Sequence, residues 1–370
     1  MSFKSLLKKP CGLYKMPYDI TDLKKGIEKL SENEKDISIM EVCGTHTANI
    51  RRFGIPSILP HNIRLVSGPG CPVCVTSQQD IAAAVRIADR DGVIFACFGD
   101  MMRVPCENGS LYSLYEKGRD VRLISSPMNA LSIASDNPDK QVVYFGIGFE
   151  TTAPHTAALV EAAYNQGIKN LSVLNAHKTM PKAVSQLLKS KQNNISALLC
   201  PGHVASVTGS DAFSFVSNEL DLPAAVAGFE AYDILAAIFC ITGMIKSKKT
   251  ECINMYPRAV TKNGNKIAQD LIYKVMEPKD ALWRGLGMIP GSGLKFREKY
   301  ASYDAFKRFE IEKIESAEPK GCLCADILRG ERIPPECIHF GVSCTPENPV
   351  GPCMVSAEGC CSAYYYFRGA

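Results

Sequence analysis

The chain has 370 residues, 42 Lys and Arg against 38 Asp and Glu (net +4), and 46% hydrophobic residues. That balance excludes a disordered chain, and so small a surplus of positive charge is no basis for binding nucleic acid or an anionic membrane. The 16 cysteines are too few for a disulfide scaffold, yet seven of them crowd into the last 49 residues.

The chain opens MSFKSLLKKPCGLYKMPYDI, with lysines where a signal peptide would carry its apolar core. The longest apolar run, 234–245, has 12 residues, against the roughly 20 that a membrane span needs. It reads as a buried helix, and a cytoplasmic location is expected. In that compartment thiols stay reduced, so a cysteine-rich pattern points to metal or redox chemistry ahead of structural disulfides.

Strands are predicted in chain order at 36–43, 63–67, 92–98, 120–125, 141–147, 171–175, 196–200 and 223–227, with helices at 77–91 and 153–167. Near-continuous apolar strands alternating with helices predict parallel sheets covered on both faces, an α/β fold. The polar stretch SDNPDK at 135–140 marks a break, which gives one α/β domain over 36–135 and a second over 136–230. Beyond 230 the pattern turns helical, then Gly- and Pro-rich, then Cys-rich. This part, 231–370, is expected to be a smaller third domain packed with the N-terminal arm 1–35.

The unusual residues fall after predicted strands. Cys43-Gly-Thr-His46 follows the first, Cys71-Pro-Val-Cys74 the second and Gly99-Asp100 the third. Glu150 follows the strand at 141, Asn175-Ala-His177-Lys178 the one at 171, His203 the one at 196 and Gly228-Phe-Glu230 the last. Open α/β sheets bind ligands beyond the carboxyl ends of their strands. Cys71 and Cys74 read first as a redox dithiol beside a helix start at Ser77, whose dipole would lower a thiol pKa. Half a zinc site, a pair of cluster ligands and two inert cysteines are the other readings. Cys43 is either a site thiol or a buried cysteine, and His46 a base, a ligand or a donor. His61, His155 and His339 read as surface or packing histidines, and Cys97, Cys200, Cys240 and Cys252 as inert core thiols. In the tail, Cys322, Cys324, Cys337, Cys344, Cys353, Cys360 and Cys361 exceed the four thiolates of an iron–sulfur cluster, and four of them would equally suit zinc.

CGTHT at 43–47, SGPGCPVC at 67–74, GFETTAP at 148–154, PGHV at 201–204 and the tail CLCADILRGERIPPECIHFGVSCTPENPVGPCMVSAEGCCSAYYYF together resemble the HypD-type hydrogenase maturation factors. The resemblance runs along nearly the whole chain. It implies two Rossmann-like α/β domains facing a cleft, plus a C-terminal domain with a [4Fe–4S] cluster. The family's cluster pattern falls on Cys322, Cys337, Cys344 and Cys361, with Cys360 as a neighbouring competitor. Cys324 and Cys353 would be a disulfide relay. The implied role is assembly of the Fe(CN)2CO group of [NiFe]-hydrogenase, with Cys43 holding the iron and a HypC-type chaperone and a HypE-type cyanide donor as partners. His46 would hydrogen-bond the diatomic ligands, Cys71 and Cys74 would be the cleft dithiol, and Glu150 and His203 would line the same cleft. The alternatives are a stand-alone thiol–disulfide oxidoreductase of the ferredoxin–thioredoxin reductase type and a zinc-stabilised interaction protein.

Overall fold

The computed structural model describes residues 19–189, 194–311, 314 and 316–367. The first elements are helix α1 (Ile20–Ser31), strand β1 (Ile37–Glu41), helix α2 (Gly44–Arg52) and strand β2 (Ile63–Ser67). A single turn α3 (Pro72–Val75) and helix α4 (Gln78–Ala88) follow. Ser77 caps α4 by accepting the Asp80 N–H at 3.1 Å, as the sequence signature predicts. Next come β3 (Val93–Cys97), β4 (Val121–Leu123), α5 (Met128–Asp136), β5 (Gln141–Gly146), α6 (Ala153–Asn165), β6 (Leu171–Asn175) and α7 (Met180–Leu188). The chain continues through β7 (Ala197–Pro201), α8 (Gly202–Thr208), β8 (Ala224–Ala227), α9 (Ala231–Ser247), β9 (Cys252–Asn254) and α10 (Lys266–Val275). A hairpin, β10 (Met276–Trp283) and β11 (Gly287–Phe296), leads to a tail whose short helices include α11 (Cys324–Leu328), α12 (Pro352–Val355) and α13 (Cys360–Tyr366).

All eight predicted strands form, and together with β9, which the sequence pattern did not mark, they build two parallel sheets. One is five-stranded in the order β2-β1-β7-β8-β9, the other four-stranded in the order β4-β3-β5-β6. The inner strands β1, β3, β7 and β8 and the edge strand β6 are buried throughout, which is why they read as largely apolar runs.

The sheets divide the chain differently from the sequence-based boundaries. The 135–140 stretch links α5 to β5 inside the four-stranded sheet. The chain leaves the five-stranded sheet after β2 and returns to it at β7, so that layer is discontinuous in sequence. A polar loop inside a domain and a linker between domains have the same composition, and strand pairing alone separates them.

Part of the segment 231–370 packs into the cores of the two sheets. Helix α9 holds the 234–245 run and packs with α1 over the five-stranded sheet, where Leu23, Ile27 and Leu30 share a core with Ile234, Leu235 and Ile238. Thus the described part of the N-terminal arm, 19–35, sits on the first sheet and not on the tail; residues 1–18 lie outside the described set. Helix α10 and the hairpin close the core of the second sheet through Ile272, Val275, Leu294 and Phe296. Among the described residues no helix is long and apolar enough to cross a membrane.

Candidate functional site

The carboxyl ends of the two sheets meet over a cleft of about 370 Å³ lined by Cys43, Gly70, Pro72, Phe149, His203 and Glu358, among others. Cys43 lies two residues beyond the end of β1 and stands at the N-cap of α2. The loop after β2 is pressed against it: the Gly44 N–H donates to the Gly70 carbonyl at 3.0 Å, and a Cβ on Gly70 would lie 2.2 Å from the Cys43 nitrogen. Only glycine admits that approach. It brings the Cys71–Cys74 turn against Cys43, with Pro72 on the cleft wall; the buried Cys71 and Cys74 are not themselves among the lining residues. Cys71 caps α3, its sulfur accepting the Cys74 N–H at 3.3 Å.

Burial dominates the electrostatics here. It pushes the Cys43 thiol up to about 12, with the nearby Glu358 and Glu41 carboxyls adding to the rise. It also raises Cys74 well above an ordinary thiol. The lowered pKa expected at the dithiol is therefore not found at Cys74: one turn of helix carries little dipole, and the cost of a dry thiolate exceeds it. Glu41, buried beneath Cys43, is raised to about 7 by the same cause. It accepts the Cys43 N–H at 3.0 Å and the Thr47 hydroxyl at 2.5 Å.

The remaining candidates divide. His203 lines the cleft and stacks on Phe229 with ring centroids 3.8 Å apart. His46 lies beneath it, fully buried, and burial lowers its pKa to about 4. The neutral ring donates from Nε2 to the Gly228 carbonyl at 2.8 Å, and its Nδ1 has no partner. Its single proton serves the fold and is not free for a ligand in the cleft. Glu150 does not line the Cys43 cleft. It lies in an adjacent cavity of about 280 Å³ with Thr179, Lys182 and Tyr273, accepting the Met180 N–H at 3.0 Å. Burial raises its pKa to about 7. Its sequence neighbours Phe149, Thr151 and Thr152 are the ones that face the cleft.

The tail forms the second site. Cys322, Cys337, Cys344 and Cys361 line one cavity together with Cys324, Cys353 and His339. Cys324 and Cys353 are joined as a disulfide with their Cα atoms 6.4 Å apart. His339 is thus more than a surface histidine: its Nε2 bonds the Lys320 carbonyl at 2.9 Å, pinning the wall of this cavity. Burial drives Cys322 up to about 11 and Cys361 upward, and each thiol feels the charge of others around the cavity. Four converging thiols, three buried and Cys322 half-buried, that repel one another as thiolates are a donor set for a cationic iron–sulfur core, so the residues fit such a cluster. No group of three or more His, Cys, Asp or Glu among the described residues is arranged to hold a single metal ion. Cys360 is not among the lining residues; its thiol bonds Ser67 on the cleft side. Of the cysteines read as inert, Cys97, Cys200 and Cys240 are buried in core elements, and Cys252, half-buried on β9, is a neighbour of Cys200.

The two sites are neighbours. Helix α12, which carries Cys353, packs against α3, and Cys74 lies within the electrostatic reach of Cys360 and Cys361. Glu358, which the sequence reading did not single out, comes from the tail to the cleft wall and accepts the Thr45 hydroxyl at 2.7 Å. No local spacing marks it, because its partner is 313 residues away.

A doubly layered α/β protein with a thiol-lined cleft, backed by a four-cysteine cavity, is the class that this architecture defines. Residues 19–368 match the family model described as "Hydrogenase formation hypA family", designated HypD. The chain is 42% identical over 344 residues to the hydrogenase maturation factor HypD of Azotobacter vinelandii, covering 91% of each chain. It is 38% identical over 364 residues to that of Escherichia coli K12, covering 96% of this chain and 97% of the other. The HypD of Rhodobacter capsulatus is 39% identical over 342 residues, 91% of each. The chain belongs to the HypD family of hydrogenase maturation factors.

Proposed function

We propose that this protein is the scaffold on which the Fe(CN)2CO group of [NiFe]-hydrogenase is assembled, with the iron as its cargo held by Cys43. The observation that carries this reading is the juxtaposition of Cys43 and the Cys71–Cys74 turn on one cleft rim, with the disulfide and the four-cysteine cavity directly behind. Cys322, Cys337, Cys344 and Cys361 would hold a resident [4Fe–4S] cluster, which supplies electrons when bound.

The chain's own residues do the rest. The dry pocket keeps Cys43 protonated until a soft cation arrives, and iron binding then releases that proton. Glu358, on the cleft wall and within electrostatic reach of Cys43, is placed to accept it. Thr45 holds that carboxylate in position. His203 and Phe149 wall the cargo from water. The open side of the cleft would receive a HypC-type chaperone contributing a second thiolate and a HypE-type protein delivering cyanide. The Cys71–Cys74 pair would exchange electrons with the cargo. The soft thiolate environment suits a low-spin iron with diatomic ligands.

Co-expression with these partners and purification without air tests the reading. Cyanide and carbonyl stretches in the infrared are expected on the wild-type complex and absent with Cys43→Ala. Bands that survive that substitution overturn the assignment of Cys43. A brown protein that carries no such bands under any partner combination favours the stand-alone thiol–disulfide oxidoreductase.

A further inference from the structure

Arg284 follows the last residue of β10 and is 2% exposed. A buried guanidinium is costly unless its charge and all its N–H groups are satisfied. Here the backbone N–H donates to the Val75 carbonyl at 3.0 Å and Nε to the Thr76 carbonyl at 3.1 Å. Nη1 pairs with Glu318 at 2.6 Å, while Nη2 is buried with no hydrogen-bond partner. The next residue, Gly285, is pressed onto the disulfide-bearing helix α11: an added Cβ would meet the Ala325 Cα at 2.9 Å.

The side chain is therefore wedged between the residues that end the Cys71–Cys74 turn and the helix that begins at Cys324. The charges it feels include those of Cys74 and Cys322. Its other ion-pair partner, Glu318, is largely exposed and correspondingly weak. A guanidinium does not deprotonate in a protein, so it stays a fixed positive charge within electrostatic reach of Cys74 and Cys322.

We infer that Arg284 is a positioning residue of the thiol relay, a fixed cation between the two sulfur sites that stabilises the reduced, anionic form of the Cys71/Cys74 pair. Reduction breaks the Cys71–Cys74 S–S bond, takes up two electrons and one proton, and leaves one thiol and one thiolate. The reductant is a small dithiol in the test below and a low-potential iron–sulfur donor in the proposed function, on which the biological meaning of the inference rests. A nearby cation lowers the free energy of the thiolate product and leaves the neutral disulfide unaffected, so it favours reduction.

The test is the equilibrium of the Cys71/Cys74 pair with a dithiothreitol redox buffer. It is read by differential alkylation and mass spectrometry of the peptide spanning both residues, so that the other thiols do not enter. Arg284→Gln is expected to shift the equilibrium about tenfold toward the disulfide, which for a two-electron couple is about 30 mV. Arg284→Lys keeps the charge and is expected to stay within about threefold of wild type. Glu318→Gln removes the opposing surface charge and is expected to move the equilibrium the other way, about twofold. It serves as the measurement if Arg284→Gln does not fold. A folded Arg284→Gln protein with the wild-type equilibrium overturns the inference. So does an Arg284→Lys protein shifted as far as Arg284→Gln, or, where Arg284→Gln is unfolded, an unmoved Glu318→Gln protein. Infrared bands that fail to appear would remove the assembly reading and leave this equilibrium untouched.

Discussion

The cleft and the tail cavity both gather buried thiols, but by different means. Around Cys43 the geometry comes from strand ends: β1 stops at Glu41, and β2 delivers Gly70 against Cys43. Pairing of the two strands sets the register, Glu41 facing Ser67. Around Cys361 the walls are loops and short helices with no strand among them, packed on the core through Ile327, Cys353 and Met354. The cleft is thus preorganised by strand pairing, whereas the cavity depends on that packing, on the cross-link and on whatever the thiols bind. A site for transient cargo must persist when empty, and a site for a resident cofactor need not.

The largest effect expected from this contrast is a crossed loss. Cys344→Ala should abolish the broad absorption near 400 nm (about the region typical of iron–sulfur proteins) and loosen the tail, seen as faster amide exchange over 320–367. Exchange in β1 and β7 should be unchanged. Cys43→Ala should leave both the absorption and the tail protection intact. If Cys344→Ala also releases the β1 amides, the two sites are one cooperative unit and the contrast fails.

A backbone test of the cleft comes next. Gly70→Ala puts a methyl into the Cys43 backbone. It should cost about 1–3 kcal/mol in urea unfolding, with a lowered Tm. A neutral result would mean that the loop is free to retreat, and that the cleft is no more preorganised than the tail.

The pH dependence of stability sharpens the same point. Glu41 and Glu150 each hold a proton up to about 7 in the folded chain, against 4.5 when unperturbed. These two carboxyls bind protons more tightly in the folded chain, so their contribution to stability falls as pH rises from about 4.5 to about 7, against the rise that His46, lowered to about 4, contributes over the same window. Glu41→Gln should remove its share of the fall, a difference from wild type of about 3 kcal/mol between pH 4.5 and 7.5. An unchanged slope in urea titrations at several pH values would show that Glu41 is hydrated.

The smallest effect is expected from Thr45→Val, which removes the hydroxyl that holds Glu358. About 0.5–1.5 kcal/mol of stability should be lost. The Arg51 guanidinium over the Tyr364 ring, 3.5 Å from its centroid, still ties the tail to α2.

Much of this was legible before any coordinates. The eight strands announce themselves as largely apolar runs, and the motif residues Cys43 and His203 do fall at strand ends on one cleft, with Pro72 of the Cys71–Cys74 turn on its wall and the two sulfurs buried behind it. Two readings fail for reasons of placement. His46 spends its proton on Gly228, 182 residues away, and Glu150 turns toward a neighbouring cavity. Both are set by which way a side chain leaves a turn. Glu358 and Arg284 carry no motif at all. Their importance arises from partners at a sequence separation of 313 and 208 residues.

Periodicity and residue chemistry settled the α/β class, the strands and which thiols were worth following, because burial on both faces and soft-ligand chemistry leave marks at every position. The division of the strands between two sheets, the choice of Cys361 over Cys360 at the cavity wall and the cation set between the sulfur sites were decided only in three dimensions. Those features depend on pairings between distant segments, whose free energy comes from packing and desolvation that no local stretch of chain records.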